Sequence, residues 1–395
     1  MSGPLKGVVV MDFSQLLQGP YATQILGDLG AEVVKVEPMG GDWMRKFSLK
    51  NEYLAEESVS FLSFNRNKRS MTINLKEPGA LEVIHRMVTR ADVVIENFRP
   101  GVMDRLGIGY ESLKEVNPRL IYCASSGFGR TGPYTTRPGQ DLLIQAMSGL
   151  PLLNGREDQP PVAVGVGIAD IAACLHIVYG VLAALYSREQ TGRGQRVDVN
   201  LYNSLLTLVA QEFGAYLNGA GLPQRSNAGH NPAAYNGAPY GIYATADTYI
   251  AIAMNPLNKL AGLMGIEGYE HLTSNNVFEN RDEIHRTLAE GFAKRTTQVW
   301  LDLLLAEDIW CAPVYTFEDL EQDPQVKENE MILTYDHPAA GPIKVVGIPV
   351  KFSDTPGEIV RPAPLLGEHT TELLREYGGY ADDEIGRLYT TGTVR

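Results

Sequence analysis

One carboxylate stands out by its surroundings. Asp170 falls where a small apolar run, Val164–Ala169 (VGVGIA), meets a nearly unbroken apolar stretch, Ile171–Ser187 (IAACLHIVYGVLAALYS). A helix apolar on every side is a buried one. This one reads as too short and too Ala-rich to span a bilayer, and His176 interrupts it. Asp170 occupies the position of an N-cap, immediately before the first periodic residue. Its carboxylate is therefore expected at the positive end of a buried helix, where the dipole and free N–H groups favour the ionised form. An ionised carboxylate in a poorly hydrated place can attack a carbonyl carbon. An ordinary helix cap has the same sequence signature, so this window alone leaves both readings open.

Other positions carry weaker signals. Asn65–Leu75 (NRNKRSMTINL) is a basic cluster entering an alternating strand, which reads as a solvated turn or as a phosphate contact through Lys68 and Arg69. Arg can fork two oxygens and Lys acts as a point charge. Gly127–Gly132 is glycine-rich but lacks the lysine of a Walker loop. His230 lies in a loop rich in Gly, Pro and Asn, where local hydrogen bonding is the plainer role and general-base work the sharper one. Asp141 opens a helix as a cap. The histidines are scattered without ligand spacing, so no metal site and no permanently bound cofactor are expected.

The elements that would position these residues read as α/β. Lys6–Asp12 is a strand, Gly19-Pro20 starts a helix, and Ala31–Glu37 is a second strand. No GxGxxG follows the first strand, which argues against a nicotinamide dehydrogenase. Further strands at Ala91–Phe98 and Leu120–Gly129 put Asn97, Phe98 and Arg105 at the carboxyl ends of strands, where open α/β sheets bind ligands. A short strand at Arg196–Leu201 follows the polar run Ser187–Gly192. Periodicity alone gives α/β with at least one parallel sheet.

With 395 residues, two domains are expected. The boundaries read as 1–217 for the amino-terminal part of a large domain, 218–237 for a linker and mobile loop, 238–330 for a small domain, and 331–395 for a return to the large one. A Gly-containing loop near Ser226–Gly241 is a candidate lid. The Asp247-Thr248 turn replaces the Asp-Gly of a tight hairpin, and Trp300 and Trp310 are expected to pack. The net charge of −13 argues against nucleic acid or an anionic membrane as partner. Cys123, Cys174 and Cys311 show no CxxC spacing, and no signal or transmembrane segment is visible, which together point to a cytoplasmic protein.

Several stretches, in order, resemble the class III CoA-transferases, the formyl-CoA and carnitine CoA-transferase (CaiB/BaiF) family. They are DFSQLLQGPYATQILGDLGAEVVKVEP, the NRNKRS segment, ENFRPGVMDRLG, Asp170 with TGRGQRVDVNLYNS, and PAPLLGEHT. The resemblance implies a Rossmann-like large domain built from both chain ends, a smaller α+β domain, and an interlocked homodimer. It implies coenzyme A and a small carboxylic acid as substrates, with Asp170 as nucleophile. By the same resemblance Leu16, Lys68, Arg69, Asn97, Phe98, Arg105 and Arg137 contact CoA. Gln15, Leu17, Gln140, Asp141 and His230 become substrate or lid candidates. Formyl-CoA transferases carry Gln where this chain has Leu17, which argues against oxalate and formate as substrates.

Related 2-methylacyl-CoA racemases share the Asp but need a second proton carrier, a His in a Gly-His-Asp context. Here the triplet is Gly139-Gln140-Asp141, and Gln140 cannot exchange a proton at neutral pH. A non-catalytic acyl-CoA-binding relative, with Asp170 only a cap, is the remaining alternative.

Overall fold

Six short runs build one sheet: β1 (Val9–Asp12), β2 (Glu32–Glu37), β3 (Lys68–Thr72), β4 (Val93–Glu96), β5 (Ile121–Ser126) and β6 (Arg196–Asn200). In this computed structural model, which describes residues 3–228, 230, 233–269 and 276–395, every pairing in that sheet is parallel and the order is β3-β2-β1-β4-β5-β6. Parallel strands require crossovers and helices on both faces.

On one face Met11, Val34, Val94 and Tyr122 pack with α2 (Pro78–Val88) and with residues near the carboxyl terminus, Leu373 and Ile385. On the other, Val10, Val33, Val93, Ile95 and Cys123 meet α1 (Gln18–Asp28) and the long helix α4 (Ile168–Thr191). The strand order reverses between β1 and β4, and a crevice outside the carboxyl ends of the strands is the expected ligand position there.

The chain divides into two compact units, Met1–Ile144 with Gly167–Leu205 and Pro324–Arg395, and Gln145–Val166 with Leu206–Asp323. The excursion 145–166 and residues 206–217, read from the sequence as part of the large domain, go with the second unit, and the return begins at Pro324. The helix α3 (Asp141–Ser148) carries the chain from the first unit into that excursion.

The second unit has an antiparallel sheet, β7 (Gly241–Ala244), β8 (Tyr249–Ile252) and β9 (Cys311–Pro313), in the order β9-β8-β7. Tyr243, Ile250, Leu288, Phe292 and Trp300 form its core. Trp310, expected to pack, is 61% exposed. The Asp247-Thr248 turn has its own logic: Asp247 Oδ1 accepts from Thr248 N–H at 3.0 Å and from Thr297 N–H at 2.8 Å, tying the hairpin to the start of the helix Thr297–Ala306. The expected lid loop includes Gly229, Asn231 and Pro232, which lie outside the described residues.

Two expectations for α4 are corrected. It has 24 residues, and by length and composition it passes as a membrane span, with a mean hydropathy of 2.0 in its most apolar window. The fold uses it as a core helix through Cys174, Ile177, Val181 and Ala184. It is also not buried all round, since Leu175, Tyr179 and Tyr186 are 53%, 61% and 71% exposed. Gly192 ends it at φ 71°, a left-handed stop that a residue with a β-carbon avoids.

Candidate active site

The exit of β1 is a short turn, Ser14–Leu17, held by Asp12 of β1 itself and by side chains from two other strands or their exits. Asp12, fully buried, accepts from Ser14 N–H at 2.9 Å, from the Ser14 hydroxyl and from Thr23 Oγ1 at 2.6 Å. Lys35 Nζ donates to Ser14 O at 3.1 Å. Asn97 Oδ1 accepts from Gln15 N–H at 2.9 Å while its Nδ2 donates to Gln15 O at 2.7 Å. Leu16 N–H donates to Asp42 Oδ1 at 3.2 Å, and Leu16 sits at φ 69°. Leu17 then starts α1, whose Tyr21 N–H donates to Leu17 O at 2.9 Å.

Asp170 lies in the first turn of α4, but it is not the cap. Gly167 is the N-cap residue, and the side chain that satisfies the helix start comes from upstream, with Asp141 Oδ1 accepting from Ala169 N–H at 2.7 Å. Asp141 is set by the approach of two loops. A Cβ on Gly127 would lie 2.5 Å from Gly139 Cα, so only glycines allow the exit of β5 to press against the segment leading into α3.

No described residue donates a hydrogen bond to the Asp170 carboxylate. Burial and the neighbouring negative charge of Asp141 push its acid up to about 7, opposite to the expectation of a carboxylate kept ionised by the helix dipole. A Cβ placed on Gly167 would be 3.5 Å from Leu17 Cδ1 and 3.7 Å from Asp170 Oδ2, so Leu17 and Asp170 flank the same glycine.

The expected phosphate contacts divide. Lys68 is corrected: it is buried, with Nζ 3.1 Å from Asp12 Oδ2 and donating to Pro20 O at 2.8 Å and to Asn65 Oδ1 at 2.9 Å. Burial lowers its ammonium to about 8 even against the Asp12 charge. Arg69 is corrected likewise, its guanidinium engaged by Glu32, Glu372 and Glu376 at 2.6–2.8 Å. As neighbours in β3 they point to opposite faces of the sheet, and each is occupied there by partners of the protein itself. Arg105 and Arg137 are exposed, and among the described residues neither has an ion-pair partner; Arg137 stacks 4.0 Å over the Tyr134 ring. Asn97 is engaged by the Gln15 backbone as described.

His230 belongs to the second unit, where Nδ1 donates to Ile242 O at 3.0 Å and the ring stacks on Tyr243 at 5.3 Å. Gln140 precedes α3, its carbonyl accepting from Leu143 N–H at 2.9 Å.

A cavity of about 170 Å³ opens at the carboxyl ends of β1 to β4, at the switch point, lined by Gln15, Glu37, Met39, Asn74, Leu75, Lys76 and Phe98 among others. Met39 and Lys76 were missed from the sequence. Lys76 is one residue past the end of the Asn65–Leu75 stretch, and its exposed ammonium has no ion-pair partner among the described residues. The usable signal was position beyond a strand's carboxyl end, rather than the basic cluster inside the strand. Asp12, Lys35 and Asp42 were missed as well; each is charged and buried in a strand or tight turn.

Comparison with known proteins gives the same answer over the whole chain. The profile of CoA-transferase family III matches residues 5–370. The chain is 35% identical to human succinyl-CoA:glutarate CoA-transferase, covering 99% of this chain and 90% of that one. It is 35% identical to formyl-CoA:oxalate CoA-transferase of Streptomyces coelicolor, covering 99% of each. A CAIB/BAIF family protein from Brucella suis superposes with a TM-score of 0.82 at 34% identity, covering 95% of this chain and all of that one. With the switch-point cavity and the half-buried carboxylate in one unit, and these likenesses along its length, the chain belongs to family III of the CoA-transferases.

Proposed function

We propose that this transferase moves CoA from an acyl-CoA thioester to a free carboxylic acid with Asp170 as nucleophile. The observation that carries the reading is the Asp170 carboxylate itself: half-buried, with no hydrogen-bond donor among the described residues, and beside the turn that leads to the switch-point cavity. A desolvated carboxylate is a stronger nucleophile than a hydrated one.

Asp170 attacks the thioester carbonyl, and the C–S bond breaks to give a mixed anhydride and CoA thiolate. The thiolate attacks the Asp170 carbonyl, the donor carboxylate leaves, and an enzyme–CoA thioester remains. The acceptor carboxylate attacks that thioester, and the same two steps in reverse release the new acyl-CoA and regenerate Asp170. Lys76 in the cavity lining is a cation available for CoA phosphates, with the exposed Arg105 and Arg137 as further candidates and Phe98 as an apolar wall of the cavity. Leu17, apolar where formyl-CoA transferases carry Gln, favours acceptor acids with a carbon chain over oxalate. CoA is a substrate here, and the reading needs no resident cofactor or metal.

The strand order supports a Rossmann-like large unit. The stripe Leu175, Tyr179 and Tyr186 on α4 supports a homodimer in which a second copy covers it. Three free cysteines support a cytoplasmic setting.

The test is turnover of succinyl-, glutaryl-, acetyl- and formyl-CoA against a panel of mono- and dicarboxylic acids in heavy water. Transfer without α-hydrogen exchange supports the reading. Exchange of the α-hydrogen of a 2-methylacyl-CoA without transfer would establish the racemase, and binding with neither would leave Asp170 a structural acid.

A further inference from the structure

We infer that Asp42 and Lys35 are positioning residues for CoA transfer, a buried two-point anchor that fixes the Ser14–Leu16 backbone against the nucleophile. The inference rests on the transferase reading above. Lys35 Nζ lies 2.8 Å from Asp42 Oδ2 with both side chains wholly buried. From that pair one arm reaches Ser14 O through Lys35 and the other reaches Leu16 N–H through Asp42. Asp42 is itself held: its N–H donates to Glu37 Oε2 at 2.9 Å, and Arg45 grips Glu37 through two bonds of 2.7 and 2.8 Å.

A buried ion pair is poor evidence of stabilisation, because apolar residues of similar volume often serve as well. What an apolar pair cannot do is hold two backbone groups of one turn. The turn needs holding. Leu16 sits at φ 69°, a strained backbone for a residue with a β-carbon and no local side-chain hydrogen bond, and 42% of it is exposed, so packing does not impose it. The next residue, Leu17, borders the same glycine as Asp170. A shift of about 1 Å there is enough to cost ~100-fold in rate. A loosened turn also admits water, which attacks the Asp170-bound acyl carbonyl; the C–O bond to Asp170 breaks, and acyl-CoA plus water becomes free acid plus CoA thiol.

The test compares the double variants K35M/D42A and K35M/D42N with the unaltered protein, each checked for folding by circular dichroism, reading acyl-CoA hydrolysis and CoA transfer in one assay. Their ratio does not depend on the fraction of folded protein. In K35M/D42A the hydrolysis-to-transfer ratio should rise about tenfold or more. K35M/D42N keeps an acceptor for Leu16 N–H but no donor for Ser14 O, and its ratio should fall between those of K35M/D42A and the original. In the unaltered protein, hydrogen exchange should find the Leu16 amide protected despite its exposed loop. An unchanged ratio in K35M/D42A, equal ratios in the two variants, or a Leu16 amide exchanging as an open loop would each overturn the inference. An unaltered protein that transfers CoA to no acid while its Leu16 amide is protected would overturn the transferase reading and leave the anchor in place.

Discussion

Asp12 and Asp170 are the same residue type, both desolvated, both near the carboxyl edge of one sheet, and their acids move in opposite directions. Burial pushes each carboxyl up. At Asp12 the charges of Lys68 and Lys35 and the hydroxyls of Ser14 and Thr23 more than offset it, holding the acid down to about 2. At Asp170 nothing offsets it, Asp141 adds a like charge, and the acid rises to about 7. On the proposed mechanism, the difference separates a charge that builds the site from a charge that is available to react. A carboxylate saturated with donors is stable and unreactive, whereas one without them is costly to ionise and ready to form a covalent bond.

Exchanging the two should expose that division. Asp170→Asn should lower transfer by on the order of 10³-fold or more while the protein still folds, measured by steady-state turnover. Asp12→Asn should act on stability instead. It leaves Lys68 buried without its carboxylate, at a cost of about 3–5 kcal/mol, read as a large drop in the denaturant midpoint.

A smaller effect follows from proton linkage. The folded chain keeps the Asp170 proton to about pH 7, while an unperturbed aspartate loses it near 3.8. Between those values the native state binds more protons than the unfolded one, so this residue's contribution falls as pH rises. Asp170→Asn should therefore melt at a higher temperature than the original at pH 8 and at nearly the same temperature at pH 4. A melting point lowered at pH 8 would contradict the assignment. The same ionisation should make kcat/KM of the original protein rise with pH through a midpoint near 7, because only the ionised acid attacks. Least in size, Leu17→Gln should shift the preference between oxalate and a longer dicarboxylate by a few-fold, read as a ratio of kcat/KM values.

The centre of the sheet was legible in the sequence because β1, β2 and β4, buried on both faces, read as Val/Ile runs, and Asp170 drew notice because a lone acid interrupts a long apolar stretch. Lys68 and Arg69 were misread because their partners are remote in the chain. Asp12 lies 56 residues before Lys68 and Glu376 lies 307 after Arg69, so nothing local distinguishes a solvated basic cluster from an internal one. The cap of α4 was misplaced for a similar reason: its donor is satisfied by Asp141, 28 residues upstream, across a Gly127–Gly139 approach that no periodicity reports. His230 behaved as its loop context suggested, with local hydrogen bonding inside the second unit.

The central claim is that Asp170 becomes covalently bonded during turnover. Mass spectrometry of the intact protein and of its peptides, after mixing with a panel of acyl-CoAs and rapid acid quench, tests it most directly, with Asp170→Ala as control. The account predicts a CoA or acyl adduct on the peptide containing Asp170, formed by the donors that turn over and absent from the variant. Turnover at full rate with no adduct on that peptide, or an adduct that persists in Asp170→Ala, would contradict it.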